Sequence, residues 1–531
     1  MSSPVSPPVR PAPIAARLPQ PVGRHFTHLA AILLLSAGFA LAAAAPRLRL
    51  PAVFSDHGVL QRDKPIPVWG WAAPGAEVRV SFRGAQSLAT TDRDGRWHVT
   101  LPAMSASATP AELVVRTGGE TLTVADLLIG EVWLCSGQSN MEWTVALSAN
   151  AEREIATAQF PAIRHFRTAR APAATPLSDV AGAWKPATPG SVGAFSGVGY
   201  FFARDVHRAL GGVPIGLISN SWGGKMIEVF LSPEAIAHTP HGPAIEKRWV
   251  AERDELTARM PGYPKLLAEW TTARAAALAA GAKFDRPKPT NPQEVRDQHL
   301  PGCAFNSLVN PLIPFAIRGV LWYQGEHNVT RAREYHALLG AMIADWREKF
   351  QQGDFPFYFV QLSSYGAPQD KSRVAYAELR EAQAETLAVP NTGMVVTIDV
   401  GNPDDPHPRN KQAVGARLAR LAKAKTYGLG GEWSGPEVRT ASRDGGAVIL
   451  DFDHAGGGLI AKRTPLPGFE TAGRDGVFHP AVAELQGNRV IVRAAGVPEP
   501  VAVRYAWANV PDVALFNSEG LPAGPFRRPL P

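Results

Sequence analysis

Residues 130–143, GEVWLCSGQSNMEW, end an apolar run in a cluster of small polar side chains. Val132, Trp133, Leu134 and Cys135 are bulky and β-prone, the composition of a short buried strand. Gly137 permits a tight turn, which sets Ser139 just past the strand end. In open α/β sheets, ligands bind beyond the carboxyl ends of the strands. These residues leave two readings of Ser139: an N-cap for the segment that follows, or a nucleophile. The rest of the chain has to separate them.

Downstream, strand-like and helix-like segments alternate. IRHFRTA (163–169), PIGLISNSWGG (214–224), IRGVLWYQGE (317–326), FPFYFVQLSSY (355–365) and TGMVVTIDVG (392–401) read as strands. Between and after them, residues 199–212, 331–350, 375–389 and 410–424 read as helices. That alternation predicts parallel pairing and a doubly wound, three-layer α/β sheet. Residues 245–285, rich in Ala, Arg and Glu, read as a helical insertion.

Both flanks are β-patterned. Residues 66–82 alternate around a Pro-Gly turn, and 90–102 predict a hairpin at Asp94-Gly95, together suggesting a small sandwich. Beyond residue 428, AVILDFDH, NRVIVRAAG and VAVRYAWAN return to strand pattern between Gly-rich turns. The expected organisation is a targeting segment (1–45), an N-terminal β domain (46–127), an α/β domain (128–428) and a C-terminal β domain (429–531).

The 531 residues carry a net charge of +7, of which Arg10, Arg17 and Arg24 in the first 45 supply +3 with no acidic residue. No basic run interleaved with aromatics follows, which argues against nucleic acid as a partner. Leu29–Ala45 is an apolar run ending in small residues, as a cleavable signal peptide does; an uncleaved anchor is the other reading. Export to the periplasm or beyond is the expectation, with no stable membrane span after cleavage. Cys135 and Cys303 predict two separate buried thiols rather than a disulfide framework.

Four strand ends gather polar chemistry: Gly137–Asn140, Ser219–Gly224, Trp322–Asn328 and Asp404–Lys411. Each has a plain structural reading. Gly223 and Gly224 close a turn, Gln324 and Glu326 cap a helix, His407 decorates the surface, and Asp404 and Asp405 are caps. Two carboxylates and one histidine lack metal-ligand spacing. Taken together, a serine, an Asp-x-x-His pair, a glycine turn and an amide side chain supply the parts of an acyl-transfer site.

WLCSGQSNMEW, GLISNSWGG, GVLWYQGEHN and DDPHPRNKQAVGARLA closely resemble the sialate O-acetylesterase family of SGNH hydrolases, with further likeness near both ends of the mature chain. The resemblance implies a flavodoxin-like three-layer core with accessory β-structure, and a serine esterase that removes O-acetyl groups from sugars without metal or cofactor. It makes Ser139 the nucleophile, His407 the general base and Asp404 its orienting partner. The amides of Ser139 and Gly223 and the side chain of Gln324 become the oxyanion hole. His327 stands where the family more often has a small residue, and Asn328 competes with Gln324 for the donor role. The motifs leave the sugar open between sialic acid and plant polysaccharides such as acetylated xylan or xyloglucan. Trp322, Tyr323 and Tyr365 are candidate pocket walls with a core reading beside it. A noncatalytic carbohydrate-binding protein is the remote alternative, against which the intact Ser, His and Asp argue.

Overall fold

The computed structural model describes residues 47–531, so the Leu29–Ala45 segment lies outside the described residues. The strand that leads into Ser139 is much longer than its apolar run. It extends from Glu120 to Gly137, pairing first with Ser107–Thr117 and Val59–Gln61, then with Ile215–Ser219 and Gly319–Tyr323. One strand thus serves both the N-terminal sheet and the central sheet. The domain boundary expected after residue 127 falls inside it, and no linker separates the two regions.

The central sheet runs Thr392–Val395, Phe357–Val360, Gly319–Tyr323, Glu120–Gly137, Ile215–Ser219, Phe160–Arg167, then Trp184–Ala187. The first six strands are parallel and the last is an antiparallel edge. Partners in a parallel ladder share a face, and successive residues alternate between faces. Trp133 pairs with Gly319 and Ser136 with Trp322, so the two indoles point to opposite layers. Trp133 meets Phe202 of helix Gly197–Ala209, with centroids 5.1 Å apart. Trp322 meets Trp346 of helix Ala332–Phe350 at 6.1 Å. Helix Lys411–Lys425 lies beside the first of these, Gly415 against Phe201, and Ala375–Glu385 beside the second. Both indoles are fully buried; truncating either to alanine would cost about 3–5 kcal/mol.

Three layers are therefore present, and five contiguous strands of the sheet lie in the order of a flavodoxin. Ile215–Ser219, Glu120–Gly137, Gly319–Tyr323, Phe357–Val360 and Thr392–Val395, numbered along the chain, lie side by side as 2-1-3-4-5, and Phe160–Arg167 adds a sixth parallel strand outside Ile215–Ser219. The strand ending at Gly137 is central, and later strands are added on both of its sides. This places a topological switch point at the motif that precedes Ser139.

The turn at Asp94-Gly95 forms, with Gly95 at φ +73° and its N–H donating to the Asp92 carbonyl at 3.0 Å. It does not close a hairpin. Ala85–Thr90 pairs with Glu77–Phe82, while Arg96–Leu101 pairs with Ile66–Trp71. The turn is a corner between two sheets, each strand finding its hydrogen bonds with a different neighbour. The 245–285 region is helical, as Gly242–Arg259 and Tyr263–Ala279; the second of these buries no side chain.

The C-terminal strands build two four-stranded sheets around a core of their own that includes Val448, Leu450, Val492 and Tyr505. Arg380, fully buried on helix Ala375–Glu385, ties this region to the central sheet. Its guanidinium donates to the carbonyls of Leu362, Ser363, Ala508 and Asn509 at 2.8–2.9 Å. Burial lowers its pKa to about 9. Cys135 and Cys303 are both buried and unbridged, and burial pushes each thiol up to about 12. Among the described residues no helix is long and apolar enough to cross a membrane.

Candidate active site

Gly137 makes the turn after the central strand. Its φ is +127°, and a Cβ there would sit 2.2 Å from the Tyr323 carbonyl oxygen, so only glycine fits. Gln138, not Ser139, occupies the N-cap of the short helix Ser139–Glu142. Ser139 is the first helical residue, and its hydroxyl lies 2.8 Å from His407 Nε2. The other imidazole nitrogen, Nδ1, lies 3.1 Å from Asp405 Oδ1, which also accepts the His407 backbone N–H at 2.8 Å. Trp143 stacks on the imidazole with centroids 5.1 Å apart and planes 12° from parallel, fixing the ring from the side.

Asp405 therefore stands where Asp404 was expected. Asp404 is exposed, and its backbone N–H donates to Asn402 Oδ1 at 3.0 Å. The turn through Pro406 folds the carboxylate two residues before the histidine, rather than three, back onto the ring.

Beneath the dyad is a buried polar cluster drawn from three of the polar strand ends: Asn140, Glu326 and Lys411. Asn140, fully buried, donates through Nδ2 to the Pro406 carbonyl (2.8 Å) and to Glu326, while its Oδ1 accepts from Lys411 Nζ. One amide thus joins the serine turn to the histidine loop. Burial lowers the Lys411 pKa to about 7 and raises that of Glu326, so both shifts favour the neutral forms.

Gln324 is brought to the region but not to the surface. It is fully buried, and its Nε2 donates to Gln138 Oε1 (3.1 Å), Lys225 O (3.2 Å) and Asn328 Oδ1 (2.8 Å). Its own Oε1 accepts from Tyr335 Oη at 2.8 Å. With both amide hydrogens engaged inside the protein, Gln324 has none to offer an oxyanion. Asn328 is equally committed: its Oδ1 accepts from the Ile227 N–H and its Nδ2 donates to Glu228. Gln138 is the amide left over. Its Oε1 is held by Gln324, and its Nε2 makes no hydrogen bond among the described residues. Trp322 and Tyr323 are fully buried core residues rather than pocket walls.

Gly223 follows the strand Ile215–Ser219 and borders the serine: a Cβ on it would lie 3.4 Å from Ser139 Cβ. Its N–H donates to Glu142 Oε2 at 2.9 Å, so this amide already faces a carboxylate oxygen. The other oxygen of Glu142 pairs with Arg167 and Arg170. These arginines line a cavity of about 430 Å³ with Lys185 and His165. Burial and the neighbouring Arg167 lower the His165 pKa to about 3, so this imidazole stays neutral.

Serine, imidazole and carboxylate in sequence, beside an amide that holds an anion, form an acyl-transfer constellation. Comparison with known proteins agrees with that chemistry. Residues 129–258 and 304–424 match the family described as carbohydrate esterase, sialic acid-specific acetylesterase. The rat sialate O-acetylesterase is 31% identical over 96% of this chain and 98% of its own length. The chain belongs to the sialate O-acetylesterase family. The human member is 30% identical, over 72% of this chain and 71% of its own length. Among solved structures, a carbohydrate acetylesterase from Xanthomonas citri is 38% identical, with a TM-score of 0.77, covering 91% of this chain and 99% of that one. As a member of this family the chain is a carbohydrate O-acetylesterase, a carboxylic ester hydrolase acting on acetylated sugars. The family match omits residues 259–303, which include helix Tyr263–Ala279.

Proposed function

We propose that this sialate O-acetylesterase family member cleaves sugar acetates through an acetyl-enzyme on Ser139, in an SGNH-type site. The observation that carries the reading is the 2.8 Å approach of Ser139 Oγ to His407 Nε2, with Asp405 on the opposite nitrogen. His407 takes the serine proton as Oγ attacks the acetyl carbonyl, then gives it to the departing sugar oxygen. Water enters by the same route, and Ser139 is released with acetate. Asp405 accepts from Nδ1–H, which sets the tautomer and stabilises the imidazolium.

The oxyanion would be met by the amide of Ser139, one of the terminal N–H groups a helix cannot satisfy itself, and by the amide of Gly223. To reach Gly223 the acetyl oxygen displaces the Glu142 carboxylate, which Arg167 and Arg170 hold from its other side. Gln138 supplies the side-chain donor in this reading, with Gln324 holding it.

For the sugar, we propose O-acetylated sialic acid, the substrate named for the rat and human relatives. Support comes from the cavity lined by Arg167, Arg170 and Lys185, whose charge suits a sugar carboxylate beside the acetyl group. Acetylated xylan or xyloglucan is the second reading, favoured by a Trp69-lined valley of mixed charge on the N-terminal β-structure. We also propose export, on the apolar Leu29–Ala45 segment and its small-residue end. Acetate release from O-acetylated sialic acid, acetylxylan and acetylated xyloglucan, with Ser139→Ala as control, tests the whole reading. Activity of Ser139→Ala within tenfold of the parent would put the nucleophile elsewhere.

A further inference from the structure

Strand pair Ile66–Trp71 and Arg96–Leu101 turns Val68, Val99 and Leu101 inward to the core. The alternate residues form the outer face, where Trp69 opposes His98, Trp71 opposes Arg96 and Pro67 opposes Thr100. Trp71 is buried beneath Arg49, while Pro67 and Trp69 are half-buried and keep apolar surface on this face. Two cavities lie along it, of about 490 and 410 Å³, both lined by His98 and Pro314. Each is in the size range of ligand sites. Their far wall comes from Asn310–Pro314 and Phe350–Gln352 of the α/β core.

We propose that this valley is a glycan-binding groove that holds a neutral stretch of the acetylated carbohydrate, remote from Ser139. The proposal rests on the carbohydrate esterase reading of the chain. Pro314 and Gln352 precede strands Gly319–Tyr323 and Phe357–Val360, so the groove lies at the amino ends of the central sheet. Ser139 follows the carboxyl end of its strand. The two sites therefore serve different parts of a long substrate.

The lining chemistry selects the occupant. Pyranose rings present apolar C–H faces with hydroxyls at their rims, which suits an indole platform bordered by donors and acceptors. Trp69 is half-buried, and Phe54 meets it edge to face at 4.9 Å, so the platform is held before any ligand arrives. Arg49 lies over Trp71, 3.4 Å from the ring centroid, which leaves Trp69 as the stacking surface. Asp92, Arg96, His98 and Thr100 supply hydrogen-bonding groups of both signs, and the further cation, Lys64, is engaged by the Ile317 carbonyl and Gln352 Oε1, a lining that suits uncharged hydroxyls better than a polyanion.

The test uses Ser139→Ala protein, so that binding is read without turnover, and affinity electrophoresis in neutral arabinoxylan, xyloglucan or polysialic acid. Retardation by a neutral polysaccharide is expected, with a tenfold or greater loss of affinity in Trp69→Ala and in His98→Ala. In the Ser139 background the same substitutions should leave p-nitrophenyl acetate turnover within twofold. His98 is exposed, so its variant reports on the groove even where Trp69→Ala fails to fold. No retardation by either neutral polymer, retardation by polysialic acid alone, or unchanged binding in the folded variants would overturn the proposal. Acetate release by the parent is scored separately: its absence strikes the esterase reading, while its presence without polymer binding strikes only the groove.

Discussion

His407 Nδ1 lies 3.1 Å from Asp405 Oδ1, while the carboxylate of Asp404, one residue earlier, stands in solvent. The two neighbours carry the same charge and differ in direction alone, which makes each the control for the other. Asp405→Asn should lower kcat by up to about 10⁴-fold, because an amide mis-sets the imidazole tautomer. Asp404→Asn should stay within tenfold of the parent. Rates of both variants at pH 8 decide this, and a reversed order would return the orienting role to Asp404.

The two glutamines separate in the same manner. Gln138→Ala should lower kcat by roughly 10²–10³-fold with little change in KM, the signature of one lost oxyanion donor. Gln324→Ala removes buried hydrogen bonds to Gln138, Lys225, Asn328 and Tyr335, so it should lower stability by about 1–3 kcal/mol. Urea midpoints measured beside kcat distinguish the two. A stable Gln324→Ala protein with a purely catalytic defect would contradict this division.

A sugar carboxylate in the Arg167–Arg170–Lys185 cavity predicts a defect that depends on the substrate. Arg170 also holds Glu142, whereas Lys185 pairs with no carboxylate among the described residues, so Lys185→Ala is the cleaner variant. It should raise KM for acetylated sialic acid by about tenfold, the scale of one weakened charged contact. Turnover of p-nitrophenyl acetate should be unchanged. Equal losses on both substrates would place Lys185 in a structural role.

Lys411 makes stability depend on pH. Burial holds its pKa at about 7 in the fold, against the ordinary 10.5. Between those values the unfolded chain keeps a proton that the folded chain has released, so this group makes stability rise with pH across the window. Below about 7 both states are protonated and its contribution is flat, at its least favourable. Urea unfolding from pH 6 to 9 should show the rise in the parent and a shallower slope in Lys411→Met. Parallel slopes would mean that Lys411 keeps its charge in the fold.

Local pattern determined much of this protein before any tertiary contact was known. Strand and helix periodicities between residues 163 and 424 match the observed elements, because alternation and the 3.6-residue repeat record which face of each segment is buried. Residues 137–140 identified the serine turn, since a glycine forced to φ +127° after an apolar strand leaves a local mark. The tertiary structure decided how these pieces meet. Strand order, and the use of Asp94-Gly95 as a corner between sheets, depend on which neighbour supplies each hydrogen bond, and periodicity carries no record of that. Asp404 and Asp405 are chemically identical, so the choice between them belongs to the turn through Pro406. Gln138 and Gln324 differ only in surroundings: the burial of Gln324 among Lys225, Asn328 and Tyr335 commits its amide, and those partners lie 99, 4 and 11 residues away in the chain. Side-chain identity fixed what chemistry was available, and only three-dimensional packing fixed which copy of it faces the substrate.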